Sequence, residues 1–181
     1  MVRHTLQSLG PKVLASRMVR DYVRELYAPA AASGRRLDGS QHAGARELAT
    51  WKARVRATWQ AVNVDHVEAS GVGDSPEIGN ALTVRAFVSL GDLAPGDVEV
   101  QVVHGRAGED DQLSDTVSMP LTHAEAYEGG RHRYEGEVKL ERTGPFGYTV
   151  RMLPSHPLLA NPAELGLVRH PSLQSPPYPT L

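Results

Sequence analysis

Cysteine is absent from the 181 residues of this chain. That excludes a disulfide framework and any thiolate metal site, and it fits a reducing compartment. Long hydrophobic runs are missing as well: no stretch approaches the roughly 20 apolar residues of a membrane span. Met1 to Leu14 carries charge and has no apolar segment of signal-peptide type. Asn63, Asn80 and Asn161 all fail the glycosylation pattern. The expectation is therefore a soluble, cytoplasmic protein without a membrane partner. An excess of one charge is also lacking. Nineteen Lys and Arg stand against 21 Asp and Glu, for a net charge of −2 and a pI near 6.4. Without a basic footprint, no nucleic-acid partner is expected. Aromatic residues make up only 6% of the chain, and its two tryptophans both fall before residue 60. What remains, 40% hydrophobic and 22% charged, is the composition of a globular protein.

The apolar residues that are present follow two periods. Gly10-Pro11 suits a helix start, and Leu14, Met18, Tyr22 and Leu26 then recur at four-residue steps. Ala28-Pro29 is expected to end this helix. Residues 30–44 are small and polar, with Gly34, Gly39 and Gly44, and read as a flexible linker. A second helix over 45–61 carries Leu48, Trp51, Val55 and Trp59 on one stripe. From Val62 the period changes to two. Leu82, Val84, Ala86, Val88 and Leu90 point one way, and Val98, Val100 and Val102 repeat the pattern. So do Val117, Met119 and Leu121, then His132, Tyr134, Val138 and Leu140, then Phe146, Tyr148, Val150 and Met152. Ala94-Pro95-Gly96-Asp97 has type II turn chemistry, and Gly129-Gly130 suits a hairpin. The fold class read from this pattern is α+β: N-terminal helices followed by an antiparallel, immunoglobulin-like β-sandwich over 62–167. Leu158, Leu159 and Leu165 are expected to fold back on the sandwich, and 168–181 reads as a disordered, proline-rich tail. Pro176 and Pro179 have PxxP spacing, but such tails are common.

Chemistry-bearing motifs are scarce. The histidines at 4, 42, 66, 104, 123, 132, 156 and 170 are scattered, with no spacing of a zinc site. His66 and Glu68 share a strand face, and His132 falls on the core face. Gly71-Val72-Gly73 lacks the third glycine of a dinucleotide loop, since position 76 is Pro76. Gly73-Asp74-Ser75 is followed by Pro76-Glu77, not by the glycine of a nucleophile elbow. Glu109, Asp110 and Asp111 form a short acidic loop without calcium-loop spacing. A sugar site needs exposed aromatic surface beside polar groups. The sandwich has no tryptophan, and only Phe87 and Tyr127 are candidates for its exposed face. The expectation is no catalytic, no cofactor-binding and no metal-ligating residue.

Several stretches in fixed order carry a resemblance. They are Ser8–Val23, Trp51–Val55, Val64–Glu68, Val98–Gly105, Arg142–Arg151 and His156–Ala160. Together they resemble the C-terminal region of long, actinobacterial-type α-glucan phosphorylases, from about Arg3 to Leu167. The resemblance implies that 1–29 is the terminal helix of a phosphorylase catalytic core, 45–61 a connecting helix, and the sandwich an appendage after that core. It implies a parent activity in which orthophosphate cleaves α-1,4-glucan and releases glucose 1-phosphate. It also implies pyridoxal phosphate, held by a lysine of the core. Only Lys12, Lys52 and Lys139 occur here, and none sits in that motif, so no catalytic or cofactor residue carries over. The implied partner is the missing catalytic core, in cis or as a separate chain, with α-1,4-glucan and phosphate reached through it. Met1 matches an internal position of the longer enzyme, which points to a truncated gene, a broken assembly or a split protein. The alternative is a stand-alone immunoglobulin-like module that binds glycan or protein.

Overall fold

The computed structural model describes residues 15–71, 78–108, 110, 112–141 and 143–172. The Gly10-Pro11 helix start, Leu14, residues 72–77 of the glycine-rich turn, Glu109, Asp111 and the prolines from 176 onward lie outside the described residues. The chain divides into two units, Met1–Thr50 and Trp51–Leu181.

In the first unit, α1 (Ala15–Tyr22) runs into one π turn (Val23–Tyr27) and then α2 (Ala28–Thr58), whose first part belongs here. An Arg17–Asp21 pair at 3.0 Å spans one turn of α1. The helical path does not end at Ala28-Pro29 as expected. Ala28 N–H donates to the Val23 carbonyl, five residues back. This widened turn precedes the proline and shifts the hydrogen-bond register where its N–H is missing. Residues 30–44 are helical rather than a loop, because Ala30–Ala32, Arg35, Arg36 and Leu37 are strong helix formers. What the glycines signal instead is a reversal. Gln41 and His42 take left-handed φ of 56° and 61°, and the backbone of Gly44 then comes up against Arg36. A Cβ on Gly44 would lie 2.5 Å from the Arg36 carbonyl oxygen. Met18, Val19, Tyr22, Val23, Leu26 and Tyr27 are all 45–62% exposed, so the apolar stripe of this unit is uncovered.

The second unit opens with the last turns of α2 and a 3₁₀ turn (Trp59–Ala61). Seven strands follow: β1 (Asn63–Ser70), β2 (Ala81–Ser89), β3 (Val98–Ala107), β4 (Leu113–Pro120), β5 (Thr122–Tyr127), β6 (Arg131–Lys139) and β7 (Phe146–Pro154). They form two antiparallel sheets, β1-β2-β6-β5 and β4-β3-β7. Alternation explains the central strands. Leu82, Val84, Ala86 and Val88 of β2 are buried, as are Val98, Val100 and Val102 of β3 and Val150 and Met152 of β7. Tyr134 of β6 is buried among them, and burial pushes its phenol pKa up to about 12. Phe146, expected inward, is 37% exposed at the start of β7, where pairing with β3 is ending opposite Arg106.

Two polar ties hold the periphery of this unit. The first is Asp97, a buried carboxylate. Its Oδ1 accepts from Trp51 Nε1 at 2.7 Å and Arg54 Nη2 at 2.8 Å, and its Oδ2 accepts from Ala94 N–H at 2.9 Å. These bonds replace the expected type II turn by a 3₁₀ turn, Pro95–Asp97. Gly96 is not among the glycines with positive φ, which a type II turn would require of it. The second tie is Arg169, expected to begin the disordered tail. Its backbone exchanges hydrogen bonds with Met152, and its guanidinium donates to the carbonyls of Trp59 and Val62, each at 2.9 Å. Pro171 bridges to Val64. The carbonyls left over at a helix end and a half-paired β7 give this part of the tail partners that its composition does not advertise.

Candidate functional site

The outer face of the sheet β1-β2-β6-β5 gathers the side chains with most chemical potential. A β-bulge between Val64 and His66 sets it up. Val64 pairs with Val88 and points into the core, whereas His66 pairs with Phe87 on the outside. The extra residue, Asp65, also emerges outward and accepts a hydrogen bond from Ser89 Oγ at 2.7 Å. The His66 ring stacks on Phe87 with centroids 4.2 Å apart and planes 8° from parallel. Phe87 in turn lies 6.4 Å from Tyr127 of β5. Tyr127 donates to Glu125 Oε2 at 2.9 Å, and this bond is the main cause that holds its phenol above the ordinary pKa. Arg131 completes an open hollow of about 530 Å³. Around it run half-buried ion pairs, Arg133–Glu125 at 3.3 Å and Arg85–Glu135 at 3.6 Å.

Phe87 and Tyr127, singled out in the sequence as exposed aromatics, are thus brought to one place. His66 and Glu68 share a face as expected, 3.5 Å apart. Asp65, Ser89 and Arg131 were not anticipated. The alternation of β2 places Ser89 outward, but the bulge that turns Asp65 toward it has no sequence signature.

A second opening lies between the ends of the two sheets. It is about 460 Å³, with His104, Val117, Met119, Leu140 and Phe146 in its wall. Burial holds His104 below the ordinary histidine pKa, against an opposing pull from Glu141. Among the described residues no cluster of three or more His, Asp or Glu is arranged to hold a metal.

His132 sits at a core-phase position opposite Val88, with its Nδ1 3.1 Å from His123 Nε2. Tyr134 flanks His123 with ring centroids 5.2 Å apart. Burial, and then the neighbouring His123, lower the His132 pKa. The folded state therefore binds this proton less readily than the unfolded chain. Its contribution to stability is present above the ordinary histidine pKa of about 6.5 and is lost as pH falls below it. Urea unfolding at pH 7.5 and 5.0 is expected to show a smaller loss of midpoint for His132→Gln than for the parent. Equal losses would rule this coupling out.

The comparison with known families follows from this architecture. The family model described as "Glycogen phosphorylase C-terminal domain" matches residues 59–172, which take in all seven strands. The chain belongs to this glycogen phosphorylase C-terminal family. It is 50% identical over 168 residues to the glycogen phosphorylases of Mycobacterium bovis (strain ATCC BAA-935 / AF2122/97) and Mycobacterium tuberculosis (strain ATCC 25618 / H37Rv). It is 28% identical over 172 residues to the maltodextrin phosphorylase of Thermococcus litoralis. Each alignment takes in 93% of this chain and 20% of the relative. The chain thus spans about a fifth of the length of these curated relatives.

Membership raises the question of pyridoxal phosphate, the cofactor implied by the resemblance. The described lysines do not fit it. Lys52 is engaged by Glu164, whose carboxyl that bond holds below its ordinary pKa. Lys139 borders the inter-sheet opening between Glu137 and Glu141, carboxylates where a phosphate would need donors. Among the described residues, no helix is long and apolar enough to cross a membrane.

Proposed function

We propose that this chain is the C-terminal, accessory part of an α-glucan phosphorylase of the cytoplasm. The parent enzyme would use orthophosphate and a core-bound pyridoxal phosphate to release glucose 1-phosphate from α-1,4-glucan. This part would supply packing surface and no catalytic, cofactor or metal residue. The observation that carries the reading is 50% identity over 93% of the chain to glycogen phosphorylases of which it matches only 20%. The exposed stripe of Met18, Tyr22 and Leu26 supports it. Each such side chain gains roughly 1.5–3 kcal/mol when fully buried, so the stripe calls for a partner surface, and the catalytic core is the partner proposed. The strand order supports the finer immunoglobulin-like reading when β4, beside β3, is taken as an added C′ strand: β1-β2-β6-β5 then corresponds to the A-B-E-D sheet of that fold.

Two measurements test the proposal. Purified chain incubated with maltodextrin and phosphate is expected to release no glucose 1-phosphate. The same chain is expected to co-purify with the M. tuberculosis relative truncated before the matching segment, and Tyr22→Asp with Leu26→Asp is expected to abolish the association. Turnover by the chain alone, or association indifferent to these substitutions, contradicts the proposal.

A further inference from the structure

We propose that the hollow on the outer face of the four-stranded sheet is a carbohydrate-binding surface that holds a short stretch of α-1,4-glucan. The choice of glucan rests on the proposed function, while the choice of carbohydrate rests on the hollow itself. A pyranose ring presents an apolar C–H face and a rim of hydroxyls, so its receptor combines aromatic surface with fixed polar groups. Phe87 and Tyr127 provide the aromatic surface, and His66, stacked at 4.2 Å, backs Phe87 and limits its rotation. Asp65 and Arg131 provide the polar rim. One carboxylate oxygen of Asp65 is held by Ser89, which orients the other. Arg131 has no ion-pair partner among the described residues, although it shares the hollow with Asp65. An oriented acceptor and a donor, neither consumed by the other, suit a ligand made of hydroxyls.

The charge and shape of the hollow exclude the other classes. One carboxylate offsets one guanidinium, so there is no positive field for a phosphorylated ligand or a nucleic acid. The hollow draws on all four strands of the sheet. Three strand spacings of about 4.8 Å make it about 14 Å across, and it opens to solvent along its length. That suits a segment of a chain more than a single enclosed sugar. A protein-docking patch would have a centre depleted of charge, whereas Asp65 and Arg131 line this hollow together with the aromatic rings.

Native electrophoresis of the full chain in gels containing glycogen, with dextran (an α-1,6-glucan) as the control, tests the inference. The parent chain is expected to be retarded by glycogen and not by dextran. Phe87→Ala is expected to weaken retention about tenfold, and Asp65→Asn to weaken it less. Tyr127, 40% exposed on an edge strand, offers a second variant, Tyr127→Ala, that leaves the core intact. Circular dichroism confirms that each variant is folded. Leu26→Asp, at a residue the proposed function requires for core association, is expected to leave glycogen retention unchanged. No retardation of the parent, equal retardation in dextran, or undiminished retention of both aromatic variants overturns the inference. So does a Phe87→Ala chain that keeps glycogen retention but loses the catalytic core, since the patch would then be a protein interface. A chain that binds the core but not glycogen overturns this inference and leaves the proposed function standing.

Discussion

Val55→Asp is expected to leave the second unit largely unfolded at 25 °C. Val55 is fully enclosed, and Trp51 and Trp59, one turn to either side, are 5% and 3% exposed. The substitution removes the burial of a valine, worth roughly 1.5–3 kcal/mol. It also places a carboxylate in a fully enclosed position, at a further cost of several kcal/mol unless the group takes up a proton. A loss of about 5 kcal/mol is comparable with the whole stability of an ordinary domain. Val55→Ala separates the two contributions, because it only shortens the side chain and is expected to cost about 2 kcal/mol. Chemical unfolding followed by tryptophan fluorescence reads both, since Trp51 and Trp59 border the site. A Val55→Asp midpoint within experimental error of the parent would mean that this helix face is not part of the cooperative unit.

Asp97→Ala comes second in size. The aspartate accepts three hydrogen bonds, and its removal leaves the buried Trp51 indole N–H without a partner, at a cost of about 1–3 kcal/mol, whereas the N–H of exposed Ala94 turns to water. Arg54 adds little, because its side chain is 48% exposed and water replaces the lost contact. The expected loss is about 2 kcal/mol, or roughly 4–8 °C in Tm for a chain of this size. Asp97→Asn is expected to fall between parent and alanine variant, since its amide keeps one acceptor oxygen and cannot satisfy both sides. An alanine variant as stable as the parent would show that water or a neighbouring group takes over the carboxylate's role.

Much of the fold was legible in the sequence, and the exceptions have identifiable causes. β2 and β3 were readable because each buries one face, so Leu82 to Val88 and Val98 to Val102 alternate. β5 was not, because all six of its residues, Thr122–Tyr127, are exposed on an edge strand, and nothing inward marks the period. Residues 30–44 read as a linker in the sequence because their glycines suggest flexibility. Alanine and arginine carry the helix, and the reversal falls on Gln41 and His42, neither of which advertises a left-handed backbone. In the candidate site, Phe87 and Tyr127 stood out as aromatics on a polar face. Asp65 did not, since its meeting with Ser89, 24 residues away, depends on a bulge.

Taken alone, the sequence determined the α+β class, the change of period near Val62, the apolar stripe of the first helix and the family resemblance. These are local patterns or ordered runs of residues, and both survive without knowledge of what packs on what. Only the tertiary structure decided that Asp97 ties Trp51 and Arg54 to its turn, that Arg169 closes on the carbonyls of Trp59 and Val62, and that four strands bring one hollow together. Those contacts join residues far apart in the chain, and strand register and a one-residue bulge set their geometry. Hydrophobic patterning constrains which face a residue takes, not which distant neighbour it meets.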